Sequence, residues 1–457
     1  MNLLVKDKCF YKKMAVIAIP ISLQSMITIG VNMTDTVMVG KLGETSLSAT
    51  ALANQFVNIY QICCMGIAMG ASVLTSRFWG MQDITSLKKT ITLMLRLCIV
   101  LAVLFMLPTI LIPQLLMRMY TNDSAVIVQG VQYFKWMVYC YFLQGMTMTC
   151  TIVLRSVGQV NFPLFTSIGS FFVNILFNYM FIFGKLGVPR MEVEGAGVGT
   201  LIARVFEFSL ICGYFLFADR KIGYRLKDLR MKCNSLIKDY VSISIPVFVS
   251  DSLLALGTSA VAMVMGRIGT GFVSANSITV VTQQLTTVVI QGICHASCIM
   301  TGHTLGHGER EKAQQQAWTF LILGLVVGIL GGGLIKVLSR PIIGLYNITP
   351  ETAQIAGELM DAIAFIVIFQ SMNSILTKGV LRGGGDTKFL MVADIIFLWA
   401  ASLPLGILAG LVWHLDAFWI YVFLKIDQIC KSIWCVFRLR SGKWIKTFSK
   451  EKMNHAQ

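Results

Sequence analysis

Apolar runs of about twenty residues, following one another along the whole of a 457-residue chain, limit this sequence more than anything else in it. A helix rises ~1.5 Å per residue, so each run is long enough to cross a hydrocarbon core ~30 Å thick. Marking the runs between polar, glycine-rich or charged breaks gives twelve, at roughly 14–38, 46–74, 90–112, 131–154, 162–184 and 196–217, then 239–265, 271–300, 316–338, 354–380, 388–412 and 416–437. A transmembrane β-barrel would show ten-residue alternation instead, which excludes it. With 56% hydrophobic and only 13% charged residues, the expectation is an all-α polytopic membrane protein of twelve transmembrane helices.

The formal charge of +16 does not imply nucleic acid, because the basic residues flank apolar helices instead of forming a basic face. An even number of spans puts both ends on one side. The terminal tails and the alternate loops on that side hold most of the 38 Lys and Arg, so both termini are expected in the cytoplasm. Lys6, Lys8, Lys12 and Lys13 precede the first run, but no small-residue cleavage site closes it, so the first helix is expected to remain. The twelve cysteines are scattered through apolar runs and read as small buried side chains.

The two halves repeat. A shift of 226 residues lays Pro20 on Pro246, Gly40 on Gly266 and Gly80 on Gly306, and a shift of 227 lays Arg155-Ser156-Val157-Gly158-Gln159 on Arg382-Gly383-Gly384-Gly385-Asp386. The organisation read from this is a cytoplasmic tail at 1–13, a lobe of six helices at 14–217, a basic cytoplasmic linker at 218–238, a second lobe at 239–437 and a basic tail at 438–457. Six spans per half is even, so the lobes enter the membrane in the same sense and should be related by a pseudo-twofold along the membrane normal, with a cavity between them.

Asp35 is the one carboxylate of the first run, about 30 Å along its helix from Met14. An acid inside the membrane needs a partner, a proton or a cation. The alternative is an acid that has merely reached the outer interface. Asn174 and Asn178 share a face of span five, and Thr200 opens span six, so a carboxylate, two amides and a hydroxyl form an oxygen-rich set. The second half lacks the acid and both amides: Asp35 matches Val261, Asn174 matches Ala401 and Asn178 matches Leu405. This favours a function confined to the first lobe, against the alternative of amides that only join helices. Pro20 and Pro246 are expected to bend the first helix of each lobe.

Gln24, Asn54, Asn58, Asp251, Gln284, Asp361 and Asn373 are further candidates for lining a substrate cavity; the alternative is a buried hydrogen-bonded acid for Asp251, and helix-to-helix contact for Asn54, Asn58, Gln284, Asp361 and Asn373. Arg204 and Glu207, three apart on span six, are expected to neutralise each other, as are Lys425, Asp427 and Lys431 on span twelve, with a functional role the alternative for Asp427. Abundant Met and Phe suit an adaptable pocket.

From residues 14 to 437 the chain resembles the multidrug and toxic compound extrusion (MATE) transporters. The resemblance lies in the early Pro20, in Asp35-Thr36-Val37-Met38-Val39-Gly40-Lys41-Leu42-Gly43, in Leu154-Arg155-Ser156-Val157-Gly158, in Asn174 with Asn178, in Gly195-Ala196-Gly197, and in Leu381-Arg382-Gly383-Gly384-Gly385-Asp386. It implies two six-helix lobes in the cytoplasmic membrane of a bacterium, alternating access, and export of amphipathic, often cationic compounds against inward flow of Na⁺ or H⁺. It also implies that Asp35, Asn174, Asn178 and Thr200 form the cation or proton site, with no metal beyond Na⁺ at Asp35 and no cofactor. Some members carry an acid where Asn178 stands, and others a Glu on span seven where the nearest acid here is Asp251, so the coupling ion stays open. The rival reading is a flippase for a lipid-linked saccharide or another lipid; the scarcity of intramembrane Arg and Lys argues against it. No HExxH, paired Asp motif, nucleophile elbow or P-loop is present, so neither an enzyme nor an ATP motor is expected. The expected partners are small molecules and membrane lipids, and the expected state is a monomer.

Overall fold

The computed structural model describes residues 4–185, 187–344 and 348–447; positions 1–3 and 448–457 of the two tails lie outside the described residues. Among those described there is no strand. The helices are α1 (Lys8–Gly40), α2 (Glu44–Gly80), α3 (Ile84–Leu111), a short α4 (Pro113–Arg118), α5 (Ser124–Ser156), α6 (Asn161–Phe183) and α7 (Glu192–Gly213). After the linker come α8 (Asn234–Ile268), α9 (Thr270–Gly306), α10 (Arg310–Ile343), α11 (Pro350–Ser374), α12 (Thr387–Asp394), α13 (Leu403–Ile407), α14 (Ala417–Leu424) and α15 (Ile426–Arg440). Wider π-type turns at Ile375–Leu381 and Ile395–Ser402 prolong α11 and join α12 to α13.

Ten helices among the described residues are long and apolar enough to cross a membrane, and α9, bent by 45° between Gln284 and Thr286, makes eleven. The twelfth expected run, 416–437, is divided at Lys425, where φ −121° and ψ 16° leave the helical region between α14 and α15. Local sequence explains where elements start: Asp83 accepts a hydrogen bond from Ser86 N at 3.0 Å at the head of α3, and Asp123 does the same from Ala125 N at 2.9 Å for α5. One face of α3 leaves Val100, Leu104, Ile110 and Leu111 between 57% and 72% exposed, an apolar surface suited to lipid and not to water.

The chain forms two compact units, one of residues 23–75 and 83–244, the other of residues 1–22, 76–82 and 245–457. α1 therefore passes from one unit to the other two residues beyond Pro20, and α8 does so two residues before Pro246. The first unit is centred on aromatic packing: Tyr60 and Tyr141 meet edge to face at 5.0 Å, and Tyr60 Oη donates to the Tyr141 carbonyl at 2.5 Å. The second unit relies on close backbone approach. Gly324, Gly328 and Gly332 lie four apart on α10, against Met372, Ile368 and Ala364 of α11.

The basic linker is bound to the first unit. Lys88 Nζ reaches Asp228 Oδ2 at 2.9 Å and the Gly223 carbonyl at 2.6 Å, Arg96 reaches the Leu229 carbonyl at 2.6 Å, and Tyr224 pairs with Thr92 at 2.9 Å. Burial alone would raise the Asp228 pKa, but the Lys88 hydrogen bond and charge and the Arg225 N–H outweigh it, so the carboxyl sits below its ordinary value of 3.8.

Two outcomes follow. A Cβ on Gly328 would lie 2.7 Å from Ile368 Cα, whereas one on Gly333 meets open space. Gly328→Val should lose ~3 kcal/mol of stability, the upper end for overpacking, and Gly333→Val less than ~0.5 kcal/mol, as read from thermal melts in detergent. Because the folded Asp228 carboxyl is depressed, its contribution is complete above the unfolded value and lost only as pH falls through the folded one. The melting difference between wild type and Asp228→Asn should thus stay constant from about pH 8 down to about pH 5 and shrink only at lower pH.

Candidate functional site

A cavity of about 360 Å³ opens within the first unit, walled by α1, α2, α5, α6 and α7. Asp35 reaches it from the last turns of α1, a helix that apolar residues carry all the way from Met14. Asn178 Nδ2 on α6 donates to Asp35 Oδ1 at 2.6 Å and stands 3.3 Å from Asn174 Oδ1, one turn earlier on the same face. Both amides are buried, at 3% and 1% exposure, so water does not compete for these contacts. Asn178 Oδ1 is buried with no hydrogen-bond partner.

The glycines that open α7 bring its backbone against α6. A Cβ on Gly195 would meet the Phe181 carbonyl carbon at 2.6 Å, and one on Gly199 would strike Asn178 Oδ1 and come within 2.9 Å of Asn178 N. Gly199 thereby fixes where the Asn178 amide points, and Thr200, the next residue, lines the cavity. Of the four residues expected to form the cation site, Asp35, Asn174 and Thr200 line one cavity, and Asn178 is not among its lining residues but bonds to Asp35 and Asn174 from behind them. Asn54 and Asn58 line it too, and Tyr133 Oη donates to Asn54 Oδ1 at 3.2 Å.

Arg204 and Glu207 pair at 2.9 Å, as their spacing led one to expect, but their place in the Asp35 cavity was not legible from that spacing. Asp35 and Glu207 against Arg204 leave one negative charge in excess among the lining residues. Ile27, Val31, Met137 and Phe171 supply an apolar wall, and Phe171 and Tyr133 supply ring faces. Such a cavity can hold an amphipathic cation or, at Asp35, a small one.

The other candidates fall elsewhere. Gln24 is not among the lining residues; its side chain is 8% exposed and committed to Ser167 and Arg155. Asp251 pairs with Arg382, Nη2 to Oδ1 at 3.0 Å and Nη1 to Oδ2 at 3.4 Å. Asp361 pairs with Lys336 on an exposed surface, Asn373 donates to Gln428 Oε1 at 2.7 Å, and Gln284 is exposed at the bend of α9. Lys431 meets Asp427 at 3.0 Å, as the i,i+4 spacing implies, and also Asp394 at 3.1 Å. Asp394 was missed; a lone acid within the apolar run 388–412 was the signal for it.

The family model MatE matches residues 20–180 and 246–429. A protein named probable multidrug resistance protein NorM from Thermotoga maritima is 24% identical over 441 residues, covering 95% of this chain and 93% of its own. The uncharacterized transporter YisQ of Bacillus subtilis is 24% identical over 423 residues, covering 90% of each. Among solved structures, the bent form of the Vibrio cholerae MATE transporter VcmN superposes with a TM-score of 0.85 at 17% identity, over 96% of this chain and 99% of that one. The all-α fold with its many membrane-crossing helices is therefore that of MATE transporters, for which twelve spans is the norm.

The contact between Gly199 and Asn178 can be checked by a double-mutant cycle. Gly199→Ala should cost ~1–3 kcal/mol in thermal stability, and less once Asn178→Ala has removed the carboxamide it strikes. A coupling of ~0.5 kcal/mol or more is expected. Additive losses would mean that Gly199 does not position Asn178.

Proposed function

The chain belongs to the MatE family, and from that premise we propose that it is a secondary exporter moving amphipathic, mostly cationic compounds out of the cell in exchange for Na⁺ or H⁺. The observation that carries this reading is the Asp35 carboxylate, held by Asn178 at 2.6 Å in a cavity with one excess negative charge and an apolar wall. An organic cation gains from that charge and that wall together. At ~4 Å and an effective dielectric near 20, a single carboxylate is worth ~4 kcal/mol to a bound cation, enough to change occupancy about a thousandfold. A proton or Na⁺ on Asp35 cancels the same term, so the two ligands exclude each other. That competition is the coupling.

Asn174, Asn178 and Thr200 supply neutral oxygens around the carboxylate, suited to a small hard cation. α1, a continuous helix that contains Pro20, is the element through which occupancy of Asp35 is transmitted. The proline removes one backbone donor, so bending there sacrifices little further hydrogen bonding. Two six-helix lobes, at 14–217 and 239–437, working by alternating access, with both termini in the cytoplasm and a monomer as the working unit, complete the proposal. It requires neither cofactor nor catalytic residue.

The test is efflux of a fluorescent organic cation from proteoliposomes, with a Na⁺ gradient and a pH gradient imposed separately on wild type and Asp35→Asn. Export driven by one gradient and reduced to the level of empty vesicles in the variant is the expected result. Full gradient-driven export by Asp35→Asn would overturn the role of Asp35. Absence of export in wild type under both gradients would overturn the drug-exporter reading and favour a lipid substrate.

A further inference from the structure

The repeat aligns two arginines, Arg155 and Arg382, and each grips the first long helix of its own half just past the proline. In the first half Arg155 Nη2 donates to Gln24 Oε1, and Gln24 Nε2 donates to Ser167 Oγ at 2.8 Å. Gln24 lies one turn beyond Pro20, on the part of α1 that belongs to the same unit as Arg155. In the second half Arg382 holds Asp251 through two nitrogens, and the adjacent Ser250 donates to Asp394 Oδ2. Asp251 lies five residues beyond Pro246, in the unit that holds Arg382.

The correspondence is close at each point. Under the same shifts of 226 and 227 that align Pro20 with Pro246 and Arg155 with Arg382, Gln24 aligns with Ser250 and Ser167 with Asp394. Both halves therefore tie the turn after the proline to span five and to the arginine that ends span four. The chemistry differs, and the residue that receives the arginine is offset by one, since Asp251 aligns with Ser25. The first grip joins a guanidinium to a neutral carboxamide. The second joins a guanidinium to a carboxylate, with side chains 5% and 15% exposed, and its neighbour Asp394 is itself paired with the 2% exposed Lys431 at 3.1 Å.

We propose that Arg155 and Arg382 are positioning residues that set how easily α1 and α8 bend at Pro20 and Pro246, the neutral Gln24 contact being releasable and the ionic Asp251 contact fixed. Both contacts have an ionised donor, but only the second adds the attraction of an opposite charge at close range, and a buried ion pair that loses one member leaves an unpaired charge. Separating Arg155 from Gln24 strands no carboxylate. Separating Arg382 from Asp251 strands two charges. Pro20 has already removed the hydrogen bond to the Val16 carbonyl, as Pro246 has for Ser242, so side-chain grips are what hold these turns. The first half can thus change shape while the second keeps its own. The link to export rests on the proposed function; the grip itself does not.

Two readouts separate these. Amide hydrogen exchange of the purified full-length chain in lipid nanodiscs reports the grip without any transport. Relative to wild type, Gln24→Glu should slow exchange in peptides spanning residues 20–30 by about tenfold and Arg155→Gln should speed it by about tenfold. Asp251→Asn should speed exchange in peptides spanning 246–256, bringing α8 to the rate of wild-type α1. In proteoliposomes, Gln24→Glu should lower the maximal export rate about tenfold with KM unchanged and an unreduced Tm, and adding Arg155→Gln to Gln24→Glu should restore the rate. A purely structural contact, once strengthened, would leave the rate alone. Equal exchange of the 20–30 peptides in wild type, Gln24→Glu and Arg155→Gln overturns the proposal, as does a Gln24→Glu protein that folds and exports at the wild-type rate. The expected exchange pattern with no export from any protein upholds the grip and overturns the exporter reading instead.

Discussion

Hydrocarbon offers no hydrogen bonds, and nearly every feature of this chain follows from that one deficit. A backbone group left unpaired there costs several kcal/mol, so each run that enters the membrane becomes a helix, and departures from regular helix need local compensation. The departures among the described residues include Pro20 and Pro246, Pro108 and Pro341, the π-type turns at Tyr214–Ala218, Ile375–Leu381, Ile395–Ser402 and Leu408–Val412, the bend in α9 and the break at Lys425. The same rule governs side chains. Asp251, Asp394, Asp427, Arg382 and Lys431 are all buried or nearly so, and each has its opposite charge within 3.4 Å.

Asp35 departs from this pattern and so becomes informative. Its ligand is an amide, not a cation, and the nearby Arg204 is bound to Glu207. The second unit buries comparable acids but closes each with Arg or Lys. A carboxylate that the protein itself does not neutralise, on the wall of a cavity, is available to a ligand in a way that Asp251 and Asp394 are not. This contrast, internal to one chain, is a stronger argument for Asp35 than its burial alone.

Much of this was legible in the sequence because it depends on short-range spacing. Asn174 with Asn178, Arg204 with Glu207 and Asp427 with Lys431 are i,i+3 or i,i+4 neighbours, and helix geometry alone brings such side chains together. The prolines and the duplicated Arg155 and Arg382 motifs were visible as a repeat. What was not legible depends on partners 130 residues or more away. Gln24 looked like a cavity residue because nothing in its neighbourhood reveals Arg155 or Ser167, and Asp251 looked available because Arg382 lies 131 residues along the chain. The 45° bend in α9 escaped notice for another reason: neither proline nor glycine occurs at Gln284 to Thr286.

The repeat shows how one scaffold can support two behaviours. Duplication conserves positions before it conserves chemistry, so the guanidinium of each half still reaches the turn past its proline. The residue that receives it is Gln24 in one half and Asp251 in the other. Two further positions differ in the same sense, Ser167 against Asp394 and Asn178 against Leu405. The second half has gained a carboxylate where it binds an internal lysine and has an apolar residue where the first half addresses its cavity. In the mechanism we propose, charge serves rigidity in one half and a ligand in the other. That mechanism needs both, because a moving helix transmits force only against something that does not move with it.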